Sequence, residues 1–147
     1  MRYILFLLAL MGVVDSTLAL HEHYRVGSSP CSINERWDCG IVNHSPYAVM
    51  GGVPVAGIGI AGYLLLGFLA FRRQYVLVLG GALPAVAFSL YLAHIEERVL
   101  GVWCIYCAIS LGIICLLTLL VAGTVIYQAV RRRRSPPALQ EPGSLSS

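Results

Sequence analysis

The sequence predicts an all-α integral membrane protein: a four-transmembrane-helix bundle, N-in/C-in, with a Cys-containing periplasmic loop between helices 1 and 2. Three observations carry that prediction. The 147 residues are 58% hydrophobic and 12% charged, with a mean hydropathy of +0.78, whereas soluble domains carry about 25% charged residues. Uncharged runs cover residues 46–71, 75–93 and 100–130, each meeting the roughly 20 residues needed to cross about 30 Å of hydrocarbon. The ten basic residues are all arginines, and they gather at alternate ends of these runs. A net charge of +3 leaves no nucleic-acid footprint.

Helix 1 is expected over residues 3–20, "YILFLLALMGVVDSTLAL", interrupted only by Asp15. It reads as an anchor rather than a cleaved signal peptide. The apolar run continues past Asp15, and "TLA" makes a poor cleavage site. Asp15 is costly inside a bilayer, but near the outer end of helix 1 it is expected to reach the headgroups. Helix 2 is expected over 47–71, where Gly51, Gly52, Gly57, Gly59, Gly62 and Gly67 allow close helix approach. Helix 3 should span 75–94 and helix 4 should span 102–128. Pro54 and Pro84 are expected to kink helices 2 and 3, since neighbouring helices can satisfy the freed backbone groups.

With the N-terminus inside, Arg2, Arg72, Arg73, Arg131, Arg132, Arg133 and Arg134 face the cytoplasm, and Arg25, Arg36 and Arg98 lie outside. That asymmetry sets the orientation. Residues 1–130 then form the membrane domain. Residues 131–147 form an Arg-rich cytoplasmic tail whose Pro, Ser and Gly content predicts disorder. The outer loops fall near residues 21–45 and 94–101.

This topology sorts the five cysteines. Cys31 and Cys39 lie in the first outer loop, and Cys104 and Cys107 lie where helix 4 begins. Cys115 falls inside helix 4, where a lone Cys behaves as a small hydrophobe. The outer milieu permits disulfides, so both pairs could be loop staples. A bridge stabilises most by closing a long loop, and a C-x-x-C closes almost none. Cys104 and Cys107, at i and i+3, share one helical face. A thiol at a helix N-terminus feels partial positive charge, which lowers its pKa and makes it a nucleophile. A redox role is therefore expected for this pair.

A zinc site would need all four outer cysteines, or help from His21, His23, His44 and His94. The seven residues between Cys31 and Cys39 exceed the two to four common in zinc sites, so no metal is expected. The loop "CSINERWDC" is polar and reads as mobile, which suits a dithiol shuttle working by thiol–disulfide exchange. The helix pair then needs an electron acceptor at membrane depth, and a lipid-soluble quinone fits. Trp103 and Tyr106 flank the pair as quinone contacts or as residues of the interfacial aromatic belt.

The stretch "CSINERWDCGIVNHSPYAVMGGVPVAGIGIAGY", followed by "WCIYC" opening the last helix, resembles the bacterial branch of the vitamin K epoxide reductase family. The resemblance covers roughly residues 7–125 and rests on four features in order. These are C-x7-C in the first outer loop, a serine six residues on, a Gly/Pro-rich second helix, and C-x-x-C at the start of the fourth. The DsbB-type oxidases place their C-x-x-C in the first outer loop instead. The resemblance implies oxidation of periplasmic dithiols with reduction of a quinone, of ubiquinone or menaquinone type. It matches Cys31 and Cys39 to a shuttle pair, Cys104 and Cys107 to the active-site pair, and Ser45 to a serine near the quinone ring.

Ser45 also reads as a helix N-cap, because "SPYA" sets Ser before Pro. Asn43, His44 and Tyr47 are further quinone-pocket candidates. Many bacterial members carry a fused thioredoxin-like domain after the last helix. Here a short Arg/Pro/Ser tail follows, so a separate DsbA-like thioredoxin-fold partner is expected, in the cytoplasmic (inner) membrane setting, with lipid and quinone as the other partners. Two other readings are an enzyme acting on vitamin K epoxide or a related quinone through the same cysteines, and a non-enzymatic membrane protein with structural disulfides.

Overall fold

The computed structural model describes residues 1–134. It is mostly helical, in the order α1 (Arg2–Tyr24), α2 (Cys39–Asn43), a short hairpin of β1 (Val49–Met50) and β2 (Val53–Pro54), α3 (Val55–Phe71), α4 (Tyr75–Ile95) and α5 (Ile105–Arg134). A 3-10 turn, Pro46–Ala48, precedes the hairpin, and a π-helical turn, Glu96–Leu100, follows α4. Among the described residues, three helical segments are long and apolar enough to cross a membrane: Arg2–Tyr24, Tyr75–Leu100 and Ile105–Arg134. The 17-residue α3 is apolar but shorter, about 26 Å at 1.5 Å per residue. Helix α1 packs on α3 and α5, and α4 contacts α5 and α3.

The second predicted helix is corrected at its start. It begins at Val55 rather than 47, because the chain first makes a hairpin pairing Val49 with Pro54 and Met50 with Val53. Gly51 and Gly52 form its two-residue turn with φ of 59° and 83°. Two adjacent left-handed residues favour glycine and match the twist of a hairpin. Pro54 therefore stands at the N-cap of α3 and does not kink it, whereas Pro84 does lie inside α4.

Two other boundaries move. α1 runs on to Tyr24, and α5 starts at Ile105 and continues through Arg134. Residues 131–134 are thus helical, not a disordered tail; the rest of the predicted tail lies outside the described residues. Between α4 and α5, Gly101 takes a left-handed φ of 68°, the usual helix-stopping conformation. It turns the chain back toward the end of α4.

The main core joins all four long helices through Leu5, Ala9, Tyr63, Leu66, Val78 and Leu117, among others. Gly12 lets α1 approach α3 closely: a Cβ there would lie 2.5 Å from the Tyr63 ring. The Tyr63 hydroxyl bonds the backbone carbonyl and hydroxyl of Ser110 on α5, at 2.9 Å each. A second, smaller cluster contains Cys31, Cys39, Val42, Val102 and Cys104.

Candidate active site

The loop between α1 and α2 is shaped by local hydrogen bonds. The Asn34 side-chain oxygen accepts the backbone N–H groups of Arg36 and Trp37, at 2.9 and 3.1 Å. Such a side chain imitates a backbone turn. Asp38 caps α2 by accepting the Ile41 N–H at 3.1 Å. This reversal brings the Cα atoms of Cys31 and Cys39 to 5.6 Å, and the two form a disulfide, at a spacing common for such bridges. Ser29 ties the loop down: its hydroxyl donates to the buried Glu22 at 2.6 Å and accepts the Cys31 N–H at 3.3 Å.

The loop expected to be mobile is docked against the segment that leads into α5. The Trp103 N–H donates to the Arg36 carbonyl at 2.8 Å, and the Asp38 N–H donates to the Trp103 carbonyl at 3.1 Å. The Trp37 and Trp103 rings lie 6.2 Å apart, centroid to centroid. This two-way backbone pairing places the loop disulfide and Cys104 in one buried cluster, where Cys39 and Cys104 are both 0% exposed.

Cys104 immediately precedes α5, and the Ala108 N–H bonds its carbonyl at 3.0 Å, closing the first turn. Its thiol is pushed below the ordinary value, chiefly by the hydrogen bond with the Cys107 side chain. The backbone N–H groups of Cys107 and Tyr106 add to that effect, while burial opposes it. These are the unpaired donors of a helix start, which favour a thiolate. The Asn43 amide nitrogen donates to the Cys39 carbonyl at 2.9 Å and contacts the Cys104 sulfur at 3.8 Å. Cys104, Cys107 and Cys115 are free thiols.

A cavity of about 300 Å³ lies beneath the cysteine cluster, lined by all four long helices. Its volume is at the lower end of small-molecule pockets. Of the expected cysteines and quinone contacts, Cys107, Asn43, Ser45, Tyr47 and Tyr106 line it, as do His23, Pro54, Gly59 and Gly62. His44 and Trp103 do not. His44 is exposed, its ring bonded to the Gly40 carbonyl at 2.7 Å, and Trp103 holds the loop instead. Ser45 precedes the 3-10 turn but makes no side-chain cap there. Its hydroxyl donates to the Val42 carbonyl at 2.7 Å, so offering that proton to a ligand requires rotation of the hydroxyl.

Asp15 is the clearest miss. Rather than reaching the headgroups it is 6% exposed and lines the cavity beside Ser16. Glu96, Tyr63 and Ser110 also line it without having been singled out. For Glu96 the available signal was its place eight residues before Cys104, one helix turn from the outer end of an apolar run. Among the described residues no group of three or more His, Cys, Asp or Glu is arranged to hold a metal ion.

A model of the vitamin K epoxide reductase family matches residues 3–128. The chain belongs to the vitamin K epoxide reductase family. It is a redox family built on cysteines that uses quinone-type substrates and acts with thioredoxin-like partners, and this chain is accordingly an oxidoreductase. No curated protein matches the chain. The family match spans both cysteine pairs and every residue named around the cavity.

Proposed function

We propose that this protein is a thiol:quinone oxidoreductase of the cytoplasmic membrane. It reoxidises a separate periplasmic, DsbA-like thioredoxin-fold protein and passes the electrons to a ubiquinone- or menaquinone-type quinone. In this reading the chain makes four spans, N-in/C-in, with both cysteine pairs on the periplasmic side. The observation that carries it is the stacking of three features: a loop disulfide, a C-x-x-C in the same buried cluster, and a mostly apolar cavity lined by the second cysteine of that C-x-x-C.

A thiolate of the partner attacks the Cys31–Cys39 disulfide and forms a mixed disulfide, which the partner's second thiol resolves. The reduced loop pair then transfers to a Cys104–Cys107 disulfide, with Cys39 and Cys104 as the exchanging sulfurs. Asn43 supports this choice, because one amide group touches both residues. The lowered pKa of Cys104 suits it as attacking and leaving group alike. Cys107 faces the cavity and completes the transfer. A bound quinone supplies the two-electron sink. Ser45, after rotation of its hydroxyl, and Tyr106 would offer hydrogen bonds to its oxygens, with Asn43 and Tyr47 as further contacts from the cavity wall.

The test is turnover of added quinone by a reduced DsbA-like protein in membranes containing this chain. Quinone reduction that depends on the chain is the expected result. A free-thiol titration in which neither pair changes state with dithiol or quinone would overturn the reading and leave structural disulfides.

A further inference from the structure

Glu96 is a buried carboxyl that the relay above does not use. It opens the π-helical turn after α4 and is 2% exposed. Its Oε2 accepts the Cys104 N–H at 2.9 Å. Its Oε1 is buried with no hydrogen-bond partner, and no ion pair reaches the group, among the described residues. Through Oε2 the carboxyl holds the residue three positions before Cys107. Glu96 and Cys107 line the same cavity. A buried carboxyl without a cation is costly, and a half-satisfied one calls for an explanation.

A purely structural role explains only half of this. Oε2 holds the turn that leads into α5, and a neutral amide would do that equally well. An unpartnered Oε1 on a carboxyl that shares the cavity wall with Cys107 is what a proton carrier needs. π-helical turns are also frequent at functional sites.

We infer that Glu96 carries a proton from the Cys107 thiol to the nearer oxygen of the bound quinone. The inference rests on the thiol:quinone reading. In the full step two S–H bonds break and one S–S bond forms, and two electrons and two protons pass to the quinone. Glu96 takes the Cys107 proton on Oε1, delivers it and returns to its starting state. Cys104, the more readily ionised thiol, releases its proton toward the outer face, and an equivalent proton enters from there. The other titratable groups facing the cavity are Asp15 and His23 of α1, Tyr47 of the 3-10 turn, Tyr63 of α3 and Tyr106 of α5.

Glu96→Gln in the purified full chain keeps an acceptor for the Cys104 N–H and removes the proton site. With dithiothreitol and a short-chain ubiquinone analogue, turnover should fall by about 10²-fold, the usual scale of general acid–base loss. A second readout needs no quinone: the pH dependence of Cys107 alkylation, read by mass spectrometry. Losing the neighbouring proton site should change this profile as turnover drops.

Unchanged turnover, or reduced turnover with an unchanged labelling profile, overturns the proposal. A wild-type protein that reduces no quinone overturns the relay and the proton carrier together, whereas an active wild type beside an equally active Glu96→Gln overturns only the latter. Should Glu96→Gln not fold, infrared difference spectra of the wild type on dithiol oxidation decide. They must contain a carboxyl change that persists in Asp15→Asn, and its absence overturns the proposal.

Discussion

The two buried clusters of this protein are held by different forces. The larger one is apolar and relies on shape: Gly12 receives the Tyr63 ring, Gly67 approaches Ala9, and Gly81 approaches Leu66. Lipid tails are as apolar as leucine, so helices in a bilayer associate through close packing and small residues rather than through water exclusion. The cysteine cluster is held by a disulfide, the Trp37–Trp103 backbone pairing and the Asn43 and Glu96 hydrogen bonds. Of the buried polar residues, Asp15, Ser16, Asn43, Ser45 and Glu96 line the cavity, and Glu22 ties down the cysteine loop through Ser29. Packing tolerates small volume changes at modest cost; directional bonds fail when one partner is lost. Chemistry should therefore break at the cysteine end, and stability at the other.

The largest effect is expected from Cys104→Ala or Cys107→Ala. Either should abolish quinone reduction, followed by quinone absorbance, while the helical circular dichroism stays at the wild-type level. Residual turnover near wild type in either variant would remove the pair from the reaction.

Next comes the loop pair. Cys31→Ala or Cys39→Ala should stop oxidation of the protein partner but retain part of the turnover with a small membrane-permeant dithiol. A folded partner docks on the outer surface, whereas a small thiol reaches Cys107. A redox titration of the Cys31–Cys39 bond sharpens the point. A potential below about −300 mV, the range of structural bridges, would make it a staple.

A smaller loss is expected from Asn43→Ala, which removes the only side-chain hydrogen bond between the Cys39 turn and the Cys104 sulfur found among the described residues. A net hydrogen bond is worth about 1 kcal/mol, so partner-driven turnover should fall roughly 5- to 10-fold. Turnover with the small dithiol should change less. Equal losses with both thiols would assign the effect of Asn43 to the cavity it also lines rather than to exchange between the pairs.

On the packing side, Leu117→Ala empties a fully buried position. It should lower stability by about 2 kcal/mol, seen as a lower Tm in detergent, with turnover per folded molecule preserved. The smallest effect belongs to Cys115→Ala. Cys115 is half-buried in α5 and absent from the cavity wall, so rate and Tm should both stay close to wild type. A lost activity there would show that the reacting sulfurs have been paired wrongly.

The sequence by itself determined the apolar helices, the order of the cysteines and the C-x-x-C at the mouth of the last helix. These features are local: hydrophobic runs and short spacings carry them whatever surrounds them. It also contained the Gly51–Gly52 hairpin signal, but an uncharged run on both sides made that stretch read as membrane helix. Tertiary structure decided the rest. Whether Asp15 meets headgroups or a cavity depends on how α1 is rotated against α3, which no run of hydropathy records. Glu96 acquired its place only when the π-helical turn and the left-handed Gly101 folded the chain back so that the Cys104 N–H met its carboxyl. Trp103 left the pocket because its backbone paired with Arg36 and Asp38, residues more than sixty positions away in the chain. Helix formation is encoded within a few turns of sequence; the face each helix turns inward is set by partners distant in the chain.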